Sequence, residues 1–156
     1  MLRLGIIRTS ILDRCNAMST LVGGTEGYAD EAESLIKPYE SISFADVHRP
    51  VLHLIPERPC SVVDIGAGTG RDAAYLADLG HHVVAVEPTN PLRIAGIALH
   101  TSPSIEWLDD SLPDLALLRA RRETFDLVML TSVWALTSNS AALGCRTLLP
   151  CCARVA

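Results

Sequence analysis

SVVDIGAGTGRDAAYLADLGHHVVAVEP, residues Ser61 to Pro88, contains two short apolar runs separated by a glycine turn and a run of helix formers. The first run, Cys60 to Gly66, is apolar and partly β-branched, which predicts a buried strand closed by Gly66. Residues 71–80 follow with alanines and leucines on one face, Asp72 in the first turn and Gly80 as a stop. That pattern predicts a helix. Residues 81–88 then repeat the apolar strand pattern. A strand, a helix and a second buried strand within thirty residues make a parallel crossover unit.

The same alternation continues outward. NPLRIAGIALH (90–100) reads as a second helix with Pro91 in its first turn, and SIEWLDD (104–110) as a third strand. SLPDLALLRARR holds a short helix or turn, and FDLVMLTSVW (125–134) a fourth strand, nearly all apolar. Upstream, GGTEGY (23–28) is a glycine-rich break. ADEAESLIKPYESI predicts an amphipathic helix interrupted at Pro38. SFADVHRPVLHLIP predicts another helix, capped by Ser43 or Asp46, with Pro50 near its start. The expected fold class is α/β, a doubly wound and mostly parallel sheet with helices on both faces.

Composition narrows the function. The chain has 156 residues, which suits one domain, and 49% of them are apolar, which excludes disorder as the main state. Its net charge of −5 disfavours collecting nucleic-acid phosphates. The five cysteines, Cys15, Cys60, Cys145, Cys151 and Cys152, include no CxxC pair, so no zinc site is expected. No apolar run is long enough to span a bilayer. The expected setting is cytoplasmic, with incidental thiols.

The glycine turn, Gly66-Ala67-Gly68-Thr69-Gly70, lies at the carboxyl end of the first strand, where open α/β sheets bind ligands. Nucleotide chemistry leads, and three details choose within it. The dinucleotide fingerprint G-x-G-x-x-G would want glycine where Arg71 stands. Asp64, two residues before the turn, would repel a pyrophosphate but suits a ligand with a cationic head. No Gly-Lys-Ser/Thr follows, which excludes a Walker-type loop. S-adenosylmethionine, with its ammonium and sulfonium and no phosphate, meets these demands. Glu87, closing the second strand beside the turn, can accept hydrogen bonds from both ribose hydroxyls.

On these residues the chain resembles the class I S-adenosylmethionine-dependent methyltransferases, from about Tyr28 to Trp134. The resemblance implies a Rossmann-like fold and a cofactor site at Asp64, Gly66, Ala67, Gly68 and Gly70, with Glu87 and Pro88 at the ribose. It implies an adenine contact from Asp109 or Asp110, between which the sequence does not choose. Leu130, with Thr131 and Ser132, would lie near the methionine part. The implied function is S-adenosylmethionine-dependent methyl transfer to a small-molecule acceptor. The alternatives are an NAD- or nucleotide-sugar-dependent enzyme and a non-catalytic cofactor-binding or interaction module. No catalytic residue stands out.

Other residues read as structural. Asp72 complements the helix dipole, and Trp107 belongs to the core or a pocket wall. His81 and His82 are expected at the surface. His48 and Tyr28 are the candidates to reach the pocket from an N-terminal cover. The expected layout is a loose extension over 1–22, then a methyltransferase-like domain over 23–156. The latter divides into a helical cover (23–59), a cofactor-binding core (60–134) and a divergent or truncated tail (135–156). In RTLLPCCARVA, Cys151 and Cys152 stand where the family has glycines. The expectation is incomplete C-terminal strands and an uncovered edge on the fourth strand, prone to self-association.

Overall fold

The computed structural model describes the backbone of residues 28–131 and the side chains of residues 31–131. Four parallel strands, β1 (Ser61–Ile65), β2 (His82–Val86), β3 (Ile105–Leu108) and β4 (Leu127–Met129), form one sheet in the order β3-β2-β1-β4. Val63 of β1 lies between Val84 of β2 and Val128 of β4. Five helices accompany the strands: α1 (Tyr28–Ser41), α2 (Phe44–His48), α3 (Arg71–Asp78), α4 (Asn90–Leu99) and α5 (Ala116–Ala120). The expected doubly wound architecture is present.

Alternation along the strands builds two cores. Val62, Val83, Ala85 and Ile105 pack on one face with Phe44 of α2 and with Ala73 and Leu76 of α3. Val63, Ile65, Val84 and Val86 pack on the other face with Leu115, Leu118 and Phe125. The period of two places Asp64 on the face of Val62, beneath α2 and α3.

The end of α3 shows how local chemistry aims a strand. Gly80, with φ 92°, donates to the Ala77 carbonyl at 2.9 Å, and His81 N–H donates to the Leu76 carbonyl at 3.1 Å. This pair of bonds is a Schellman stop, which turns the chain back into β2.

Three expectations need correction. Pro38 does not interrupt α1, which runs through to Ser41. The carbonyl deprived of its partner belongs to Ser34, on the exposed side of the helix, where water can take the bond. His81 is not at the surface but 1% exposed. The Schellman turn folds its ring under the start of β1, where Nδ1 accepts from the Cys60 N–H at 3.2 Å. Its Nε2 is buried with no partner among the described residues. His82 is exposed as expected. The second upstream helix is split: α2, capped by Ser43, gives way at Pro50 to a 3-10 segment, Arg49–Leu54.

No helix among the described residues is long and apolar enough to cross a membrane. The side chain of Tyr28, residues 23–27, Ser132, Trp134, the tail and the far edge of β4 lie outside the described residues, as does the 1–22 extension.

Candidate functional site

The glycine turn is built from both ends. Gly66 and Ala67 N–H donate to the Val86 carbonyl at 2.8 and 3.0 Å, which seats the turn on the end of β2. Gly70 N–H then donates to the Ala67 carbonyl at 2.9 Å and closes it into α3. Gly68 and Gly70 both have positive φ, 59° and 85°, which a side chain tolerates poorly. Their surroundings differ. A Cβ on Gly68 would meet nothing nearer than the Tyr39 ring at 3.9 Å, whereas one on Gly70 would fall 2.6 Å from the Trp107 ring. Gly68 therefore has open space beside its backbone among the described residues, and Gly70 makes room for Trp107. Gly96 of α4 does the same, since a Cβ there would sit 2.2 Å from that ring.

Glu87 is 5% exposed and fixed by backbone donors. Its Oε2 accepts from Gly68 N–H at 2.8 Å and its Oε1 from Thr89 N–H at 2.7 Å. Each oxygen retains a lone pair for a further donor. Pro88, half-buried, follows directly.

Asp64 is the electrostatic anomaly. It is 2% exposed, and among the described residues Oδ2 has no hydrogen-bond partner. Burial pushes its pKa up to about 8, reinforced by Asp72 and then Glu87 and opposed by Arg71. Three buried acidic side chains thus gather around the turn, and one oxygen of Asp64 has no donor among the described residues.

Asp72 is more than a dipole complement. It is 5% exposed, and each oxygen is engaged. Oδ2 accepts from His48 Nε2 at 2.7 Å and from the Thr131 hydroxyl at 3.0 Å. Oδ1 accepts from Arg71 Nε at 2.8 Å, with Nη2 at 2.7 Å. Arg71 Nη1 reaches back to the Tyr39 carbonyl at 3.3 Å. One sequence signal was available: Asp72 precedes Leu76 by four residues, on the buried stripe of α3.

The end of α1 also reaches the turn. The Thr69 hydroxyl donates to Glu40 Oε1. His100 Nε2 lies 3.2 Å from Glu40 Oε2, close enough for charge attraction but without hydrogen-bond alignment. Nothing in the sequence singled out Glu40, because its partners lie far along the chain.

The two acidic candidates after β3 have different surroundings. Asp110 accepts from Ser111 N–H at 2.9 Å and, across the first turn of α5, from Leu118 N–H at 2.8 Å. It acts as a helix cap. Asp109 is 65% exposed at its side chain and pairs with Arg93 at 2.8 Å. Leu130 packs against the Leu115–Phe125 core at the end of β4. The described residues include no group of His, Cys, Asp or Glu able to hold a metal.

Comparison with known proteins now bears on this geometry. Residues 62–154 match a family described as a methyltransferase domain, more than half of the chain. The chain belongs to this methyltransferase-domain family. The match spans the methyltransferase core from β1 onward and continues through most of 135–156. Among solved structures, a TehB-like SAM-dependent methyltransferase from Corynebacterium glutamicum superposes with a TM-score of 0.62 at 17% identity, covering 79% of this chain and 67% of that one. The plantazolicin methyltransferase BpumL, in complex with a monoazolic desmethylPZN analog and SAH, gives 0.61 at 13% identity, with 83% and 52% covered. The glycopeptide N-methyltransferase MtfA, complexed with (S)-adenosyl-L-methionine, gives 0.59 at 15%, with 71% and 50% covered. These likenesses establish the Rossmann-like fold. The methyltransferase domain spans about half the length of the latter two. A search of curated proteins found no match.

Proposed function

We propose that this methyltransferase domain binds S-adenosylmethionine at the glycine turn and serves methyl transfer to a small-molecule acceptor. The observation that carries the reading is the unpartnered Asp64 Oδ2, buried at the end of β1. A buried carboxylate short of one donor calls for a ligand that brings a cation and N–H groups. A pyrophosphate would add negative charge beside Asp72 and Glu87 and hold the Asp64 carboxyl protonated. The donor set therefore fits an ammonium-bearing nucleoside and opposes NAD.

In this reading Glu87 takes the ribose hydroxyls with its remaining lone pairs, while it holds Gly68 in place. Gly66, Ala67 and Gly68 let the ligand approach the backbone. Asp109, open to solvent on one side, is the better candidate for an adenine amino group, since Asp110 is committed to capping α5. The cofactor, when bound, supplies a methyl group already activated by its sulfonium. The protein's task is to hold the acceptor in line with it and to exclude water. The glycopeptide N-methyltransferase and the plantazolicin methyltransferase share the fold, and the acceptor choice would rest on the N-terminal cover and the segments after β4.

Calorimetric titration of the full chain with S-adenosylmethionine, S-adenosylhomocysteine and NAD tests this directly. Saturable binding of the first two and none of NAD is expected. Binding of NAD alone would overturn the reading. Binding without transfer to any acceptor would favour a cofactor-binding module instead.

A further inference from the structure

The strand order β3-β2-β1-β4 means that the chain winds outward from β1 to β3 and then returns to the other side of β1. The crevice between the carboxyl ends of β1 and β4 is the topological switch point, where such sheets take ligands. Glu87 lies on the β2 side of the glycine turn. On the β4 side, the Thr131 hydroxyl crosses the crevice to Asp72 Oδ2. The same oxygen accepts from His48, which arrives from α2 in the N-terminal cover. A carboxylate has no proton to give, so both partners donate to it.

The contact is the polar half of a docking joint. Its apolar half is Phe44, whose ring stacks on Tyr75 of α3 with centroids 4.2 Å apart. Phe44 also packs against the His48 ring at 4.3 Å. Arg71 extends the joint to α1 through the Tyr39 carbonyl. Cover, glycine turn and fourth strand thus meet at one carboxylate, which is buried and has little solvent contact to replace a lost partner.

From this arrangement we infer that Asp72 is a positioning residue: through His48, Arg71 and Thr131 it fastens the α1–α2 cover across the β1–β4 crevice and shapes the half of the site that takes the amino-acid end of the cofactor. The second part rests on the proposed S-adenosylmethionine site; the fastening itself does not. Asp72 touches no reacting atom in this role. It acts by holding other groups still.

The test uses the full chain with Asp72→Asn, His48→Gln and Thr131→Val, alone and with the first two combined. Amide hydrogen exchange is followed without ligand. Each of Asp72→Asn and His48→Gln should speed exchange across Phe44–His48 by about tenfold, leaving β1 and β2 unchanged, and the double variant should match Asp72→Asn alone. Binding is then compared for S-adenosylhomocysteine and for 5′-deoxy-5′-methylthioadenosine, which lacks the amino-acid arm. Asp72→Asn should weaken the first by about tenfold or more and the second by less than about twofold. A general structural defect would weaken both alike, and that result overturns the assignment. So does unchanged exchange in α2. If Asp72→Asn does not fold, His48→Gln and Thr131→Val carry the same comparison. If the wild-type chain binds neither nucleoside, the proposed cofactor site fails, and the exchange rates alone still uphold or overturn the fastening.

Discussion

Glu87 Oε2 accepts the Gly68 N–H at 2.8 Å, so the acidic residue after β2 holds the middle of the glycine turn. One carboxylate thereby shapes the loop. In Glu87→Ala, Gly68 and Thr89 N–H both lose their acceptor, and each orphaned donor costs about 1–3 kcal/mol. Urea unfolding should report that loss, and S-adenosylhomocysteine binding should weaken with it. Glu87→Gln keeps an acceptor for one of the two and should fall between. Equal stability of Glu87→Ala and wild type would show that the clamp contributes nothing.

Gly96 and Trp107 form a tight pair at the back of the turn. In Gly96→Ala the new methyl would meet the ring at 2.2 Å and the Thr69 carbonyl oxygen at 2.7 Å. Overpacking of this kind costs about 1–3 kcal/mol. In a Trp107→Leu background the ring clash is gone, so the added cost of Gly96→Ala should shrink. A double-mutant cycle measured by denaturant unfolding checks the coupling; strict additivity would show that the two do not meet.

Asp64 gives the protein a pH signature. Its carboxyl ionises near about 3.9 in an unfolded chain. In the fold it is held up to about 8, chiefly by burial. Between those values the folded state keeps a proton that the unfolded state has lost. The stability this confers is complete below pH of about 4 and is lost as pH rises towards 8, at about 1.4 kcal/mol per pH unit. Denaturant midpoints measured across that range should fall for wild type and flatten for Asp64→Asn. At pH 8 the Asn variant should be the more stable protein, because it no longer buries an ionised group. A wild-type profile as flat as that of the variant would contradict the burial argument.

The contrast between what the sequence revealed and what it hid is physical. β1, α3 and β2 were legible because their apolar periods and the glycine stop are local signals. Asp64 and Glu87 were legible because a strand end fixes where its last side chain can be. Pro38 misled because its cost depends on which side of α1 the freed carbonyl faces, which is a tertiary fact. His81 misled because a Schellman turn, not its polarity, decides where its ring goes. Asp72 looked like a dipole partner because the groups that bury it, His48 and Thr131, lie 24 and 59 residues away. Gly70 fitted the ligand pattern, and its second constraint, the room it leaves for the Trp107 ring, is a tertiary fact that the sequence did not carry. Asp109 and Asp110 were indistinguishable by sequence, and their different surroundings, the α5 cap for Asp110 and the Arg93 pair for Asp109, depend on the fold.

The claim that Asp64 awaits a cationic ligand is tested most directly by proton release. S-adenosylhomocysteine is titrated calorimetrically at pH 7 in buffers of different ionisation enthalpy, with wild type and Asp64→Asn. An ammonium arriving beside Asp64 should pull its raised pKa back down and expel about one proton per ligand bound, and the Asn variant should bind more weakly and expel none. Saturable binding to wild type with no proton release, or equal affinity in both proteins, would contradict the account.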